Sequence, residues 1–174
     1  VNEYYDKGSF PKDLIKKMGD LGFFGATLPK KYGGSEISST AYGLIMQELE
    51  KGDSGLRSVC SVQGGLVMYP IFEYGTEEQK EKWLPNLATG NAVGCFGLTE
   101  SNHGSDPGGM TTKAVKDGDD WIINGSKMWI TNGSIADVAV VWAKDEEGIV
   151  RGFLLEKDMK GFTATNIPVS YTHL

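Results

Sequence analysis

Apolar positions in the first half of the chain recur at helical spacing. Phe10, Leu14, Met18 and Leu21 form one stripe, with Ser9 as a candidate N-cap and Gly22 closing the helix. Leu28 to Gly34 reads as a connecting loop. Tyr42, Ile45, Met46 and Leu49 predict a second helix that starts near Ser39 and runs out near Gly52. A third segment begins after Asp53 and Ser54. There Leu56, Val59, Cys60, Val62, Leu66 and Val67 are apolar over more than one face, which predicts a central helix covered on several sides. Gly64 and Gly65 lie inside it. Each costs a helix about 0.5–1 kcal/mol relative to alanine, so the pair is expected to mark close packing, an adjacent ligand or a break. Thr76 and Gln79 make a capping box for a fourth helix, which buries Trp83, Leu84 and Leu87 and ends at Gly90.

From Val93 the period changes. Gly94 to Glu100 reads as a strand running into a polar turn. Trp121-Ile122-Ile123 is a β-prone run, Asn124-Gly125 a hairpin turn, and Lys127 to Thr131 the return strand. Val138, Val140 and Trp142 alternate with Ala139 and Val141 in another strand, and Phe153-Leu154-Leu155 belongs to a further one. The expected architecture is α+β: a helical domain over residues 1–92, then residues 93–174 as part of an antiparallel β-barrel.

Composition narrows the function. The chain has 174 residues, and its 40% hydrophobic content suffices for a packed core. A net charge of −6 with 17 dispersed Lys and Arg argues against a nucleic-acid surface. No apolar run reaches membrane-spanning length. Cys60 and Cys95 form no C-x-x-C pair and read as reduced, buried thiols; no metal site is expected. The chain starts at Val1 without Met, and Val169 to Leu174 stop within an expected domain, so a fragment of a longer protein is expected.

Two polar segments carry the functional signal. Ser101 to Gly109 follows the first strand and is rich in groups able to face an anion. Trp129 can pack beside a large planar ring and Thr131 can donate a hydrogen bond to a ring nitrogen; a buried Trp beside a strand Thr is the plain alternative. His103 reads as a surface residue of the first loop, and His173 carries no functional reading. Arg57 falls among apolar residues of the third helix. A guanidinium there needs acceptors, either Glu50 or Asp53 in a structural ion pair, or a substrate carboxylate shared with Ser61 at i+4.

Gly97-Leu98-Thr99-Glu100, then Gly104-Ser105-Asp106, then Gly125-Ser126-Lys127-Met128-Trp129-Ile130-Thr131-Asn132, in that order within a helix-then-sheet chain, resemble the paired signatures of the acyl-CoA dehydrogenases. The resemblance runs from about Phe10 to about Ala164. It implies a helical N-terminal domain, a β-barrel middle domain and a C-terminal helical bundle that is absent here. It also implies FAD as cofactor, bordered by Phe96, Gly97, Leu98 and Thr99 and by Trp129, Ile130 and Thr131, with Ser105 near acyl-CoA or the cofactor's phosphates.

The segment Glu50 to Ser61 further resembles the glutaryl-CoA dehydrogenase branch, in which Arg57, Ser58, Ser61 and Glu50 would hold the distal carboxylate of glutaryl-CoA. Ser101, where Pro is usual, His103, Gly64 and Gly65 depart from the pattern. No catalytic residue is expected within the chain: the family's base lies in the missing bundle, and neither Glu48, Glu50 nor Glu100 takes its place. The implied parent is a homotetramer that passes electrons to electron-transfer flavoprotein, in the cytoplasm of a bacterium or the mitochondrial matrix of a eukaryote. A short- or branched-chain acyl-CoA dehydrogenase, an acyl-CoA oxidase and a noncatalytic CoA-binding module are the alternatives.

Overall fold

In a computed structural model, Tyr4 and residues 10–167 are described; Ser9, His173 and the segment Val169 to Leu174 lie outside them. Helix α1 (Asp13–Asp20) ends where Gly22 adopts φ +75°. Its C-terminus is closed by Gly22 N–H donating to the Gly19 carbonyl at 2.9 Å and Phe23 N–H to the Met18 carbonyl at 3.1 Å. Ile15 and Met18 face the core, whereas Leu21 is 69% exposed. The expected stripe therefore stops a turn early: Leu21 is the C-cap, where the chain is already turning out of the helix.

Helix α2 (Ser39–Gly52) is capped by Ser38, whose Oγ accepts from Ala41 N–H at 3.2 Å. Tyr42, Ile45, Met46 and Leu49 form its inner face but are only half-buried. Asp53 caps α3 (Ser54–Ser61), its carboxylate accepting from Leu56 N–H at 2.8 Å. The chain does not break at Gly64-Gly65. It passes into a π-helical stretch, Val62–Met68, and then into α4 (Tyr69–Tyr74). A Cβ on Gly64 would lie 3.7 Å from the Tyr42 hydroxyl, and one on Gly65 would meet nothing within 4 Å. Close packing thus accounts for neither glycine, and the wider backbone helix is what their conformational freedom accompanies. Leu66, expected in the core, is 41% exposed because this stretch winds differently from an α-helix. Helix α5 (Glu77–Ala88) carries the expected capping box: Gln79 N–H donates to Thr76 Oγ1 at 3.3 Å and Thr76 N–H to Gln79 Oε1 at 2.9 Å.

The second half is one five-stranded mixed sheet: β1 (Gly94–Gly97), β2 (Lys113–Asp117), β3 (Asp120–Asn124), β4 (Val138–Lys144) and β5 (Val150–Glu156). The pairs β2–β3 and β4–β5 are antiparallel, but β1 runs parallel to β4, with Gly94 opposite Val138. The sheet does not close into a barrel. Two local expectations fail together. The hairpin turns at Gly118 (φ +60°), between β2 and β3, so Trp121 to Ile123 pair backward with Val115 and its neighbours. Lys127 to Thr131 form no strand, because Trp129 (φ +60°) and Asn132 (φ +66°) are left-handed and cannot continue a ladder.

One core joins both halves: Phe24, Val67, Met68, Ile71, Leu84 and Leu87 cluster with Val138 and Val140 of β4. Within it Gln63 is 1% exposed. Its amide nitrogen donates to the Leu87 and Ala92 carbonyls at 3.0 and 2.8 Å, and its oxygen accepts from Gly94 N–H at 2.8 Å. A single side chain thereby ties the π-helical stretch to the end of α5 and the start of the sheet.

Candidate active site

The Gly97-Leu98-Thr99-Glu100 end of the first strand and the stretch from Lys127 to Asn132, both singled out in the sequence, lie against each other. Met128 N–H donates to the Thr99 carbonyl at 2.9 Å. The Lys127 stem passes over Gly97, where an added Cβ would sit 3.5 Å from Lys127 Cγ and 3.2 Å from Val141 Cγ2. Its ammonium donates to the Leu98 carbonyl at 3.0 Å and to Glu100 Oε1 at 2.8 Å. At the far end, Asn132 Nδ2 donates to the Gly94 carbonyl at 3.2 Å. Residues 94–100 and 127–132 are therefore stitched edge to edge without a β-ladder.

Glu100 is the polar hub of this arrangement, at 5% exposure. Besides Lys127, it accepts from the Thr111 amide and hydroxyl, both at 2.7 Å, and from the Thr112 amide and hydroxyl at 2.9 and 2.5 Å. Burial alone would raise its pKa; the Lys127 ammonium, then Thr112 and Thr111, outweigh it and hold the carboxyl far below the usual range. A carboxylate so fully engaged cannot serve as a general base. Sequence reasoning assigned Glu100 to its motif but did not find its partners; Lys127 was expected in a strand, and Thr111 and Thr112 drew no signal.

A broad cleft of about 1910 Å³ opens on the sheet side. Of the expected cofactor residues, Gly97, Trp129, Ile130 and Thr131 line it; Phe96, Leu98, Thr99 and Ser105 do not. Phe96 instead packs edge-on against Trp142, with ring centroids 6.0 Å apart, and Ser105 is exposed in its loop. Trp129 is 58% exposed, so its ring presents an apolar face rather than filling a core. Trp142 also lines the cleft, and its buried indole N–H has no partner among the described residues. His103 is half-buried, its backbone bridged to Glu100, so it is not a free surface residue.

The Arg57 group stands apart. Arg57 Nε donates to Glu50 Oε2 at 2.5 Å and Nη1 to Ser61 Oγ at 3.3 Å, which in turn donates to the Ser58 carbonyl at 3.0 Å. The Arg57 side chain is 37% exposed, so the expected deep burial is corrected: α2 and α3 leave this corner open. Ser58 faces the cleft while Arg57, Ser61 and Glu50 do not line it. Of the two sequence readings of Arg57, the ion pair with Glu50 forms. Among the described residues no cluster of His, Cys, Asp and Glu could hold a metal, and no helix is long and apolar enough to cross a membrane.

Comparison with known proteins fixes the family. The acyl-CoA dehydrogenase N-terminal domain matches residues 1–91 and the middle domain of the same enzymes matches residues 95–172. This chain belongs to the acyl-CoA dehydrogenase family. A probable acyl-CoA dehydrogenase of Bacillus subtilis is 43% identical over 172 residues, covering 94% of this chain and 45% of that protein. A glutaryl-CoA dehydrogenase of Mycobacterium smegmatis, solved in complex with FADH2, superposes with a TM-score of 0.92 at 53% identity, covering 95% of this chain and 42% of that one. Butyryl-CoA dehydrogenase of Megasphaera elsdenii gives 0.86 at 41% identity, covering 94% and 45%. The chain spans less than half the length of each of these relatives.

Proposed function

We propose that the whole protein is an FAD-dependent acyl-CoA dehydrogenase acting on glutaryl-CoA, with this chain supplying one wall of its flavin site. The observation that carries this reading is the stitched pair of segments, which presents Trp129 and Thr131 to a cleft while burying every charge behind them. The residues fit a flavin. An exposed aromatic face asks for a planar apolar partner, the Thr131 hydroxyl lies at the same cleft, and the buried Trp142 N–H is a donor without an acceptor among the described residues. Bound FAD would supply a two-electron acceptor for hydride leaving the substrate β-carbon.

Within this chain, Trp129, Ile130 and Gly97 exclude water from that face, and Thr131 orients the ring edge. Arg57, held by Glu50 and backed by Ser61, binds the distal carboxylate of the acyl chain. The α-proton is taken by a carboxylate from the part of the whole protein outside this stretch. Glu100 is saturated, and Asp120 is the only carboxylate among the described cleft-lining residues, at the outer hairpin. Electrons then leave to electron-transfer flavoprotein from a homotetrameric enzyme. A cleft this large, above the range of about 300–1,000 Å³ usual for small-molecule sites, accords with a wall awaiting its opposite half.

A second reading, a short-chain enzyme in which Arg57 is only structural, is favoured by the Arg57–Glu50 pair and the butyryl-CoA dehydrogenase likeness. Flavin bleaching of the full-length protein separates the two. Glutaryl-CoA turnover with release of crotonyl-CoA and carbon dioxide, lost for glutaryl-CoA far more than for butyryl-CoA in Arg57→Ala, supports the first. Equal turnover of both acyl groups by the unmodified enzyme refutes it. The isolated chain is expected to show no acyl-CoA-dependent dye reduction.

A further inference from the structure

Lys127 has no role in the chemistry just described, yet its side chain is one of the links that join the end of β1 to the cleft-facing stretch Trp129 to Thr131. Its stem covers Gly97, its ammonium meets the Leu98 carbonyl and the Glu100 carboxylate, and the next residue bonds Thr99. Four consecutive residues of one segment are thus engaged by two of the other. Lys127 is 9% exposed at its side chain. Its donors point to two oxygens and, at 3.9 Å, to the Met110 sulfur, so none is directed at the cleft.

Proton donation to a ligand is therefore excluded for this ammonium. What it does control is distance. The segment from Met128 to Thr131 has no ladder to fix its height above β1, and both Trp129 and Asn132 hold left-handed backbone angles. Such angles persist only where surrounding contacts over-determine them. The contacts that do so are Lys127 with the Met128 N–H on the Thr99 carbonyl at one end and the Asn132 amide on Gly94 at the other.

We propose that Lys127 is a positioning residue, which sets the height and tilt of Trp129 and Thr131 relative to Gly97 and so the seat of the reacting ring. The proposal rests on the flavin reading above. Its reach is in the geometry: a shift of the tether by one bond length moves both cleft-facing side chains together, and misplacement by about 1 Å at a reacting centre can cost about a hundredfold in rate.

The test uses the full-length holoenzyme, with Lys127→Met and the double variant Glu100→Gln, Lys127→Met. The single variant strands the Glu100 charge and is expected to lower thermal stability strongly. The double variant removes both charges of the pair, though a Gln NH2 cannot accept from the Thr111 or Thr112 amide it faces, and is expected to recover part of that stability. Its kcat nevertheless stays about tenfold or more below the parent, KM changes less than about threefold, and the visible flavin spectrum is shifted, because the Leu98 carbonyl still lacks its tether. If the double variant regains kcat and flavin spectrum along with stability, Lys127 is structural only and the proposal is overturned. A double variant that cannot fold at all while Thr112→Val folds with an unaltered spectrum overturns it likewise, by making the pair a folding element. Parent protein that purifies folded but retains no flavin from added FAD overturns the flavin reading itself, a result distinct from either of these.

Discussion

Replacing Gln63 by Met tests whether one buried amide holds the helical and sheet parts together. Met matches its length and volume, so cavity effects are small and lost hydrogen bonds dominate. Three bonds disappear, to the Leu87 and Ala92 carbonyls and from Gly94 N–H. The losses are unequal. The Leu87 carbonyl keeps a second partner, Gly90 N–H at 3.2 Å, whereas the Ala92 carbonyl and Gly94 N–H lose theirs in a dry environment. Two stranded buried groups at about 1–3 kcal/mol each give a loss of about 2–6 kcal/mol. That is a large share of the 5–15 kcal/mol typical of a folded domain. Urea unfolding followed by the fluorescence of the four tryptophans measures it. An unchanged m-value with a lower midpoint is expected, because the folded surface is the same. A loss below about 1 kcal/mol at unchanged m would refute the reasoning.

Other perturbations give separate checks. Glu100 has its pKa lowered on folding, so its stabilisation is complete above its ordinary value of 4.5 and declines as pH falls through the folded-state value; acid titration of Glu100→Gln should show a flatter stability curve below about pH 4.5 than the parent, and parallel curves would count against the hub. Cys60 and Cys95 have thiols pushed up by burial to about 12 and about 11, so neither should react with a thiol reagent at pH 8 until urea unfolds the chain; prompt native labelling would contradict their burial. Thr76→Ala removes the capping box of α5 and should cost about 1 kcal/mol in the same urea assay, with no cost expected only if the box does not form in solution. Arg57→Ala breaks a half-exposed ion pair and should change stability by less than about 1 kcal/mol, so a larger loss would mark the residue as structural.

Much of this fold was legible as pattern. The four helical regions, the capping box at Thr76 and the strands at Val138 and Phe153 all follow from periodicity and local caps, because those features depend on near neighbours alone. Legibility failed where long-range contacts decide. Asn124-Gly125 carries a strong hairpin signal, yet the hairpin forms at Gly118 because Trp121 to Ile123 pair with β2, a strand whose Lys113 and Lys116 hide its β character. The parallel pairing of β1 with β4 is invisible locally, since it joins segments some forty residues apart. At the candidate site the motifs identified the cleft-facing stretch, but the partners of Glu100 come from Thr111, Thr112 and Lys127, which only the folded chain assembles. Arg57 was legible as a charge in need of a partner; that the corner stays open was not.

The π-helical stretch Val62–Met68 has a consequence for how this rod-like run tolerates change. Wider winding holds more residues per turn, so it works as a phase shifter: it sets the angle between the face that carries Val59 and Cys60 and the one that carries Val67, Met68 and Ile71, and all five reach one core. A chain shortened by one residue at Gly64 or Gly65 can tighten to ordinary α geometry and keep both flanking faces in step, whereas the same excision within α5 would rotate every later side chain of that helix by about 100°. A one-residue change in chain length therefore has a natural reservoir here, at two glycines where an added Cβ meets nothing nearer than 3.7 Å.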